Sequence, residues 1–342
     1  MSSKPTLMHQ EVREIPAAVD RLLSAGGTAI ETAASTARAT DPRFFISVAR
    51  GSSDHAATYL KYAAELLLRR PMASVGPSVN SIYGVDLDAR GAVGLSVSQS
   101  GQSPDIVRMT EALGANGAFT VAITNDAGSP LAQTAKATLP IHAGPELSVA
   151  ATKTFVTSLV AGLWFLAEIA QDSELVAAIR ALPDSLDQAT TCDWSAAAEA
   201  MDGRSLFTIG RGPSWAISNE AALKFKETCL IHAESYSSAE VLHGPVSIVG
   251  SDFPVIAFAA RDKAESTLAE TADALADMGA RVFAVTDRAT RASRLPHIRT
   301  GHWLCDPIAA IVSFYAMVEQ VALARGIDPD APRHLKKVTE TV

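Results

Sequence analysis

Short apolar runs rich in β-branched and aromatic residues alternate with longer amphipathic segments along the chain. In the first half the pattern predicts strands at Phe44–Val48, Val93–Val97 and Phe119–Ile123, and helices over Ala56–Leu68 and Asp105–Leu113. Strands that alternate with helices indicate βαβ units. We therefore expect a parallel sheet covered by helices on both faces.

The second half of the chain repeats this alternation. Its predicted strands are Ser205–Ile209, Val255–Phe258 and Arg281–Val285, and its predicted helices are Ile217–Thr228, Ala264–Met278 and Ile308–Ala324. The fold class predicted for the whole chain is therefore α/β, with a mainly parallel sheet in each half.

The two halves also match in sequence at a nearly constant spacing. Ala49–Ser53 matches Gly210–Ser214 at an offset of 161 residues, and Gly117–Thr124 matches Gly279–Thr286 at an offset of 162. Two matches at almost one offset indicate a duplication. Pro183 and Asp184 interrupt a helical pattern between the halves, so we predict two domains, residues 1–190 and 191–342.

Composition narrows the functional classes. The 342 residues are 48% hydrophobic and 19% charged with a net charge of −8, which favours a folded core and disfavours a nucleic-acid partner. No uninterrupted apolar run is long enough for a membrane span, and the N-terminus lacks a signal-peptide pattern. Three widely spaced cysteines, Cys192, Cys229 and Cys305, predict free thiols with no metal site. We expect a soluble cytoplasmic protein.

A hydroxyl-rich segment follows the second predicted strand and opens a helix. Ser98, Gln99, Ser100 and Ser103 supply hydroxyl and amide groups there, and Gly101 permits a tight turn. A helix start presents unpaired N–H groups and the positive end of the helix dipole, which suits a phosphate. The alternative is a structural loop in which Ser103, before Pro104, caps the helix.

A second hydroxyl pair, Ser52 and Ser53, follows the first predicted strand, which strengthens the phosphate hypothesis. The corresponding segment of the second half, Ala260–Lys263, lacks the hydroxyl groups, so the phosphate site is assigned to the first half. The chain has no triphosphate-binding loop, and Gly210-Arg211-Gly212 lacks the third glycine of the dinucleotide fingerprint. A nicotinamide dehydrogenase is therefore disfavoured.

Acid–base groups cluster in the second half. Glu220, Lys224 and Glu227 are three or four residues apart on a predicted helix and share one face. Such a triplet can be a solvated salt-bridged stripe, or a carboxylate held by an ammonium and ready to move a proton. His243 precedes Gly-Pro and is predicted in a turn, where it could act as an acid or base. The tail carries Lys337, which could reach a bound carbonyl.

Together these motifs resemble the sugar isomerase (SIS) domain family. The chain looks like a tandem pair of such domains, closest to the isomerase half of glucosamine-6-phosphate synthase and to its stand-alone deaminase relatives. The resemblance implies flavodoxin-like α-β-α sandwiches. The segments that carry the resemblance are Met8–Pro16, Gly51–Ser53, Ser98–Gly101, Glu146–Lys153, Glu220–Glu227, Ile231–Glu234, Leu242–Pro245 and Pro332–Arg333.

The resemblance implies a role for each matching residue. Glu227 matches the base that shuttles a proton between C1 and C2, and Lys224 matches its neighbouring lysine. His243 matches a ring-opening histidine supplied by the adjacent subunit, and Lys337 matches a tail lysine that engages the open-chain carbonyl. Lys336 stands where the synthase has alanine, so which lysine acts stays open. The positions assigned to the bound sugar phosphate are Ser52, Ser53, Ser98, Gln99, Ser100, Ser103 (threonine in the synthase) and Val149.

The function implied by the resemblance is deamination of glucosamine 6-phosphate to fructose 6-phosphate and ammonia. The chain starts at the isomerase region, without the glutaminase segment that supplies ammonia for synthesis, which favours the deaminating direction. The alternatives are an aldose–ketose phosphosugar isomerase, a fructosamine-6-phosphate deglycase, and a non-catalytic sugar-phosphate sensor. We expect a homodimer, a hexosamine or hexose 6-phosphate substrate, and no metal or organic cofactor, because lysine, carboxylate and imidazole suffice for this chemistry.

Overall fold

The computed structural model describes residues 5–337, and its first half follows the predicted alternation of strands and helices. The elements up to residue 180 are α1 (Leu7–Arg13), α2 (Ile15–Ala25), α3 (Gly27–Ala39), β1 (Phe44–Val48), α4 (Ser52–Leu68), β2 (Met72–Ser74), α5 (Ser78–Ser81), β3 (Ala92–Val97), α6 (Pro104–Ala115), β4 (Phe119–Thr124), α7 (Pro130–Thr134), β5 (Ala137–Pro140), α8 (Lys153–Ala170) and α9 (Ser173–Arg180).

The second half has the same alternation, with two short 3₁₀ turns at Glu240–Leu242 and Pro245–Ile248. The remaining elements are α10 (Leu182–Ala189), α11 (Ser195–Ala200), β6 (Ser205–Gly210), α12 (Pro213–Cys229), β7 (His232–Ser237), β8 (Pro254–Phe258), α13 (Glu265–Asp277), β9 (Arg281–Val285), β10 (Ser293–Arg294) and α14 (Asp306–Ala324).

The described residues form two compact units, each built on one sheet. The first-sheet unit comprises residues 17–146, 153–180 and 336–337, and the second-sheet unit comprises residues 5–16, 147–152 and 181–335. Each unit has its own buried apolar core between the sheet and its helices. The α/β prediction with two mainly parallel sheets is confirmed.

Both sheets have five parallel strands in the same order. The first sheet runs β2-β1-β3-β4-β5, and the second runs β7-β6-β8-β9-β10. In each, the chain leaves the first strand toward one edge and then returns to the other side of it. Strand order therefore reverses between β1 and β3 and between β6 and β8, which is where open parallel sheets bind ligands.

The backbone itself shows the duplication. Helix α4 and helix α12 are both 17 residues long and begin after glycines with almost identical torsions, φ 56° and ψ −134° at Gly51 and φ 56° and ψ −135° at Gly212. Both also end at a left-handed residue, Arg69 and Leu230. These positions are 161 residues apart, the offset read from the sequence, so the predicted repeat is confirmed in three dimensions.

Two helices, α8 and α14, are apolar enough to meet the length and composition criteria for a membrane span. Their apolar windows are 89% and 78% buried inside the protein, as expected for core helices. Helix α8 packs closely on α4, where a side chain at Gly162 would overlap Leu60. Close packing of two helices requires a small residue at the contact point.

The structure adds elements that the sequence pattern did not predict. Strands β2, β5, β7 and β10 were not expected; three of them have four residues or fewer, and β7 is mostly polar. The segment around Pro183 was expected to interrupt helical structure, but Pro183 lies in the first turn of α10. Proline is tolerated there because the first N–H groups of a helix have no intrahelical partner.

Candidate active site

The two hydroxyl-bearing loops of the first-sheet unit lie at one edge of its sheet. Strands β1 and β3 are neighbours in parallel register, with Val48 opposite Ser96. Ser52 and Ser53 follow the end of β1, and Ser98 to Ser103 follow the end of β3. Because carboxyl ends of parallel strands meet at the same edge, both loops flank the point where strand order reverses.

The loop after β3 is folded by its own serines. Ser98 Oγ accepts a hydrogen bond from Gly101 N at 3.2 Å, and Ser100 Oγ accepts one from Gln102 N at 3.3 Å. The carbonyl of Gln99 accepts from Asn125 N at 3.0 Å, which attaches the loop to the end of β4. The side chains of Gln99 and Ser100 remain half-exposed.

Gly101 is required for this turn for two reasons. Its φ of +62° lies in the left-handed region that favours glycine, and a Cβ at this position would overlap the hydroxyl of Ser129. Ser129 is buried at the start of α7 and caps it by accepting from Ala132 N at 3.3 Å. The loop is thus fixed against a second helix start.

Ser103 lies at the N-cap position of α6, followed by Pro104, but its side chain makes no capping hydrogen bond. The capped-loop alternative therefore has the position right and the hydroxyl contact wrong. Ser52 and Ser53 form the first turn of α4, after the Gly51 N-cap. The unit consequently presents hydroxyl groups at the starts of two long helices, as a phosphate site needs.

The equivalent edge of the second sheet is occupied by an internal charge network. Glu265, at the start of α13, accepts from Arg299 NH2 at 2.5 Å and from Arg288 Nε at 3.1 Å. The buried carboxylate of Asp306 accepts from Thr300 N at 2.8 Å. Here acids and arginines stand where the first-sheet unit has serines, which agrees with a phosphate site in the first half alone.

The acid–base triplet is buried, so the solvent-exposed stripe considered above is wrong. Lys224 is completely buried in α12, and its Nζ contacts Glu220 Oε1 at 3.2 Å and also the carboxylate of Glu227. Tyr315 on α14 donates to Glu220 Oε1 at 3.2 Å. Only Glu227 reaches the surface of the cluster, with 20% of its side chain exposed.

The electrostatics keep Lys224 charged. Burial alone would lower the pKa of this lysine, but the carboxylates of Glu220 and Glu227 outweigh that effect and hold its pKa above the usual value. Two carboxylates therefore share one permanent ammonium. Glu227 combines this fixed orientation with partial access to solvent, which is the arrangement that a side chain needs to exchange protons with a bound molecule.

Two further assigned residues of the second-sheet unit lie in loops. His243 is exposed between the two 3₁₀ turns, in the turn that the sequence predicts. Val149 is half-buried in the bend that precedes α8. The buried carboxylate of Glu11 on α1 holds this bend by accepting from Leu147 N and, at 3.3 Å, from Ser148 N. No sequence pattern indicated that role for Glu11.

The tail places its two lysines differently. Lys337 Nζ lies 2.8 Å from Oε2 of Glu146, a buried carboxylate that also accepts from Thr154 N at 3.1 Å and Thr154 Oγ1 at 2.7 Å. Lys336 is exposed. This contact favours Lys337 as the tail lysine with a defined position. The predicted tail continues to Val342, and residues 338–342 lie outside the described part of the chain.

Within the first-sheet unit the structure thus gathers the serine loops, Lys337 and Glu146, and within the second-sheet unit it gathers Glu227, Lys224 and Glu220. Sequence reasoning did not assign a role to Glu146, Glu220 or Tyr315. Glu146 and Glu220 were visible as members of quoted motifs, whereas nothing in the sequence connects Tyr315 to Glu220.

Known proteins resemble the chain over nearly its full length. Glutamine–fructose-6-phosphate aminotransferase [isomerizing] of Symbiobacterium thermophilum is 32% identical over 96% of this chain, which spans only 58% of that relative. A provisionally assigned phosphosugar isomerase from Silicibacter pomeroyi DSS-3 is 60% identical with a TM-score of 0.92, covering 95% of this chain and all of the other.

Glucosamine-6-phosphate deaminase from Thermotoga maritima shares the fold at a TM-score of 0.79 and 20% identity, over 98% of this chain and all of that one. The SIS domain model matches residues 41–168 and 201–324, which together carry both sheets. The homology to the aminotransferase concerns its isomerase half. The chain therefore belongs to the SIS domain family, as a tandem pair of these domains.

Proposed function

We propose that the chain is a phosphosugar-converting enzyme that deaminates glucosamine 6-phosphate to fructose 6-phosphate and ammonia. The proposal gives the phosphate to the loops at Ser52–Ser53 and Ser98–Ser103, where two helix starts carry unpaired N–H groups. It gives the proton transfer to Glu227 on α12.

The observation that carries the proposal is the buried cluster of Glu220, Lys224 and Glu227. A charged lysine fully enclosed with two acids is costly unless every group is paired, so such clusters are uncommon as mere surface decoration. Its one partly exposed member is a carboxylate, the group needed to take a proton from carbon.

The steps balance without a cofactor. Ring opening gives an aldehyde at C1 and an amine at C2. Glu227 takes the C2 proton and returns it to C1, which converts the amino aldehyde into a C2 imine. Water adds to this imine, the C–N bond breaks, and the products are fructose 6-phosphate and ammonia. A carboxylate beside a fixed ammonium can take and return one proton without net change.

Two flexible-chemistry groups complete the proposal. His243 opens the ring, since an exposed imidazole in a loop is free to exchange a proton near neutral pH. Lys337 engages the open-chain carbonyl, and Glu146 holds its ammonium at 2.8 Å until the substrate arrives. The names of the similar proteins support this reaction class: a fructose-6-phosphate aminotransferase and a phosphosugar isomerase act on the same kind of molecule.

Ammonia release across a panel of hexosamine 6-phosphates tests the proposal. Glu227→Gln should lower turnover by about 10²–10⁴-fold, the usual contribution of a general base. The matched control is Glu270→Gln, which changes an exposed carboxylate on α13 and should leave turnover unchanged. Full activity of Glu227→Gln would refute the mechanism.

The same panel separates the alternatives. Interconversion of sugar phosphates without ammonia would indicate an aldose–ketose isomerase, and release of an amino acid from fructosamine 6-phosphates would indicate a deglycase. Tight binding with no turnover of any of these substrates would indicate a sensor. Each outcome replaces the deaminase proposal by a reaction, or a role, that uses the same phosphate loops.

We also propose a cytoplasmic homodimer in which His243 serves the partner's site. The exposed apolar side chains of Leu242 and Ile248 flank His243, which suits a segment covered by another subunit. Mixing His243→Ala with Glu227→Gln subunits tests this. If the histidine is exchanged, mixed dimers regain one intact site, and random reassociation should restore about a quarter of wild-type activity. No recovery after verified exchange would exclude the shared site.

A further inference from the structure

An ion pair joins the two hydroxyl-bearing loops of the first-sheet unit. Arg50 immediately precedes Gly51, and Asp105 lies in the first turn of α6, just after Ser103. Oδ2 of Asp105 is 2.6 Å from Arg50 Nε and 2.5 Å from Arg50 NH2. The pair therefore links residues that are 55 positions apart in sequence and that follow different strands.

Both partners are anchored to the helix starts that the phosphate proposal uses. The carbonyl of Arg50 accepts from Asp54 N at 3.3 Å, in the first turn of α4. Oδ1 of Asp105 accepts from Ile106 N at 2.8 Å in the first turn of α6. Asp105 is only 1% exposed, whereas the Arg50 side chain is 44% exposed. A contact with one buried partner resists screening better than a surface pair does.

The duplicated second half serves as an internal comparison. Arg211 occupies the position of Arg50 in the repeat, but its NH1 donates to Ser237 Oγ at 2.8 Å. The acid that begins α13, Glu265, pairs instead with Arg288 and Arg299. A link of the Arg50–Asp105 kind thus accompanies the serine loops and is replaced by other pairings in the half that lacks them.

We propose that Arg50 and Asp105 form a brace that fixes the spacing of the two helix starts and thereby sets the affinity of the site for a phosphoryl group. The inference rests on the proposed phosphate role of the serine loops. Arg50 is a positioning residue in this scheme. Holding both loops in the bound geometry before the ligand arrives removes an ordering cost from binding.

Titration calorimetry with inorganic phosphate, and kinetics with the hexosamine 6-phosphate that is turned over, test the brace in the full chain. Arg50→Ala should weaken phosphate binding and raise KM by about tenfold, the size expected when one charge-assisted link that orders a site is lost. Its kcat should stay within about twofold of wild type. Arg50→Lys should recover part of the affinity.

Arg90→Ala is the matched control, since Arg90 and Asp88 form an equally short pair, 2.5 Å, that is exposed on the same unit. It should bind phosphate as the wild type does. Unchanged phosphate affinity in Arg50→Ala, or a loss confined to kcat, would overturn the brace. If Arg50→Ala does not fold, an Arg50→Lys variant with wild-type affinity overturns it, and a weakened one supports it.

The two proposals fail separately. A wild-type protein that binds phosphate through the brace but releases no ammonia retains the brace and loses the deaminase function. A protein that deaminates normally with Arg50→Ala at wild-type KM retains the function and loses the brace. Absence of phosphate binding by the wild type at millimolar concentration would remove the phosphate role on which the brace rests.

Discussion

Replacement of Lys224 by methionine removes the only cation of a buried cluster while nearly preserving side-chain volume. Glu220 and Lys224 are both fully buried, and the ammonium lies 3.2 Å from Glu220 Oε1. Removing one partner of a buried ion pair costs about 3–5 kcal/mol, because the remaining charge is left without compensation. At about 2–4 °C per kcal/mol for a domain of this size, the thermal midpoint of the second-sheet unit should fall by roughly 6–20 °C.

The assay is chemical and thermal denaturation of Lys224→Met beside Lys226→Met, an exposed lysine on the same helix that should change stability by less than about 0.5 kcal/mol. The destabilisation should also depend on pH. In the variant the uncompensated carboxylates have a folded-state pKa above the unfolded value of about 4.3, so the penalty is small below that pH and grows above it.

In the wild type the raised pKa of Lys224 has the opposite consequence. The stabilisation from the ammonium is fully present below the unfolded lysine pKa of about 10.4 and is lost only as the pH rises through the folded-state pKa. The difference in unfolding free energy between wild type and Lys224→Met should therefore be larger at pH 8 than at pH 4.5. A loss below 1 kcal/mol at pH 8, equal to that of Lys226→Met, would refute the reasoning.

The remaining predictions concern the phosphate loop and the thiols. Gly101→Ala should cost about 1–2 kcal/mol for the left-handed backbone and a further 1–3 kcal/mol or so for overlap with Ser129, and it should weaken phosphate binding. Denaturation and calorimetry measure both effects, and a total loss under 1 kcal/mol contradicts the geometry. Burial raises the pKa of Cys229 to about 11 and also raises that of Cys305, whereas Cys192 is half-exposed. A thiol reagent at pH 8 should label Cys192 alone in the native protein and all three cysteines after denaturation; rapid native labelling of a second thiol would count against the buried placement.

The duplicated architecture could be read from the sequence because both of its signals are local. Alternation of β-rich and amphipathic segments reports which elements form, and the offset of 161 residues depends on motifs such as Gly51-Ser52-Ser53 that recur intact. Glycine has few substitutes where φ is positive, so Gly51 and Gly212 mark equivalent turns in both halves. The short or polar strands escaped prediction because β-pairing, rather than their own hydrophobicity, keeps them in the sheet.

Residue spacing alone put Glu220, Lys224 and Glu227 on one helical face, but only packing against α14 decided that this face is buried. Hydropathy likewise could not distinguish α8 and α14 from membrane spans, because a core and a bilayer select the same residues. The pairs Arg50–Asp105 and Lys337–Glu146 join positions 55 and 191 residues apart. Local sequence determined which groups are available for chemistry, and the tertiary fold decided which of them meet, since contact across such separations depends on strand order and chain return rather than on periodicity.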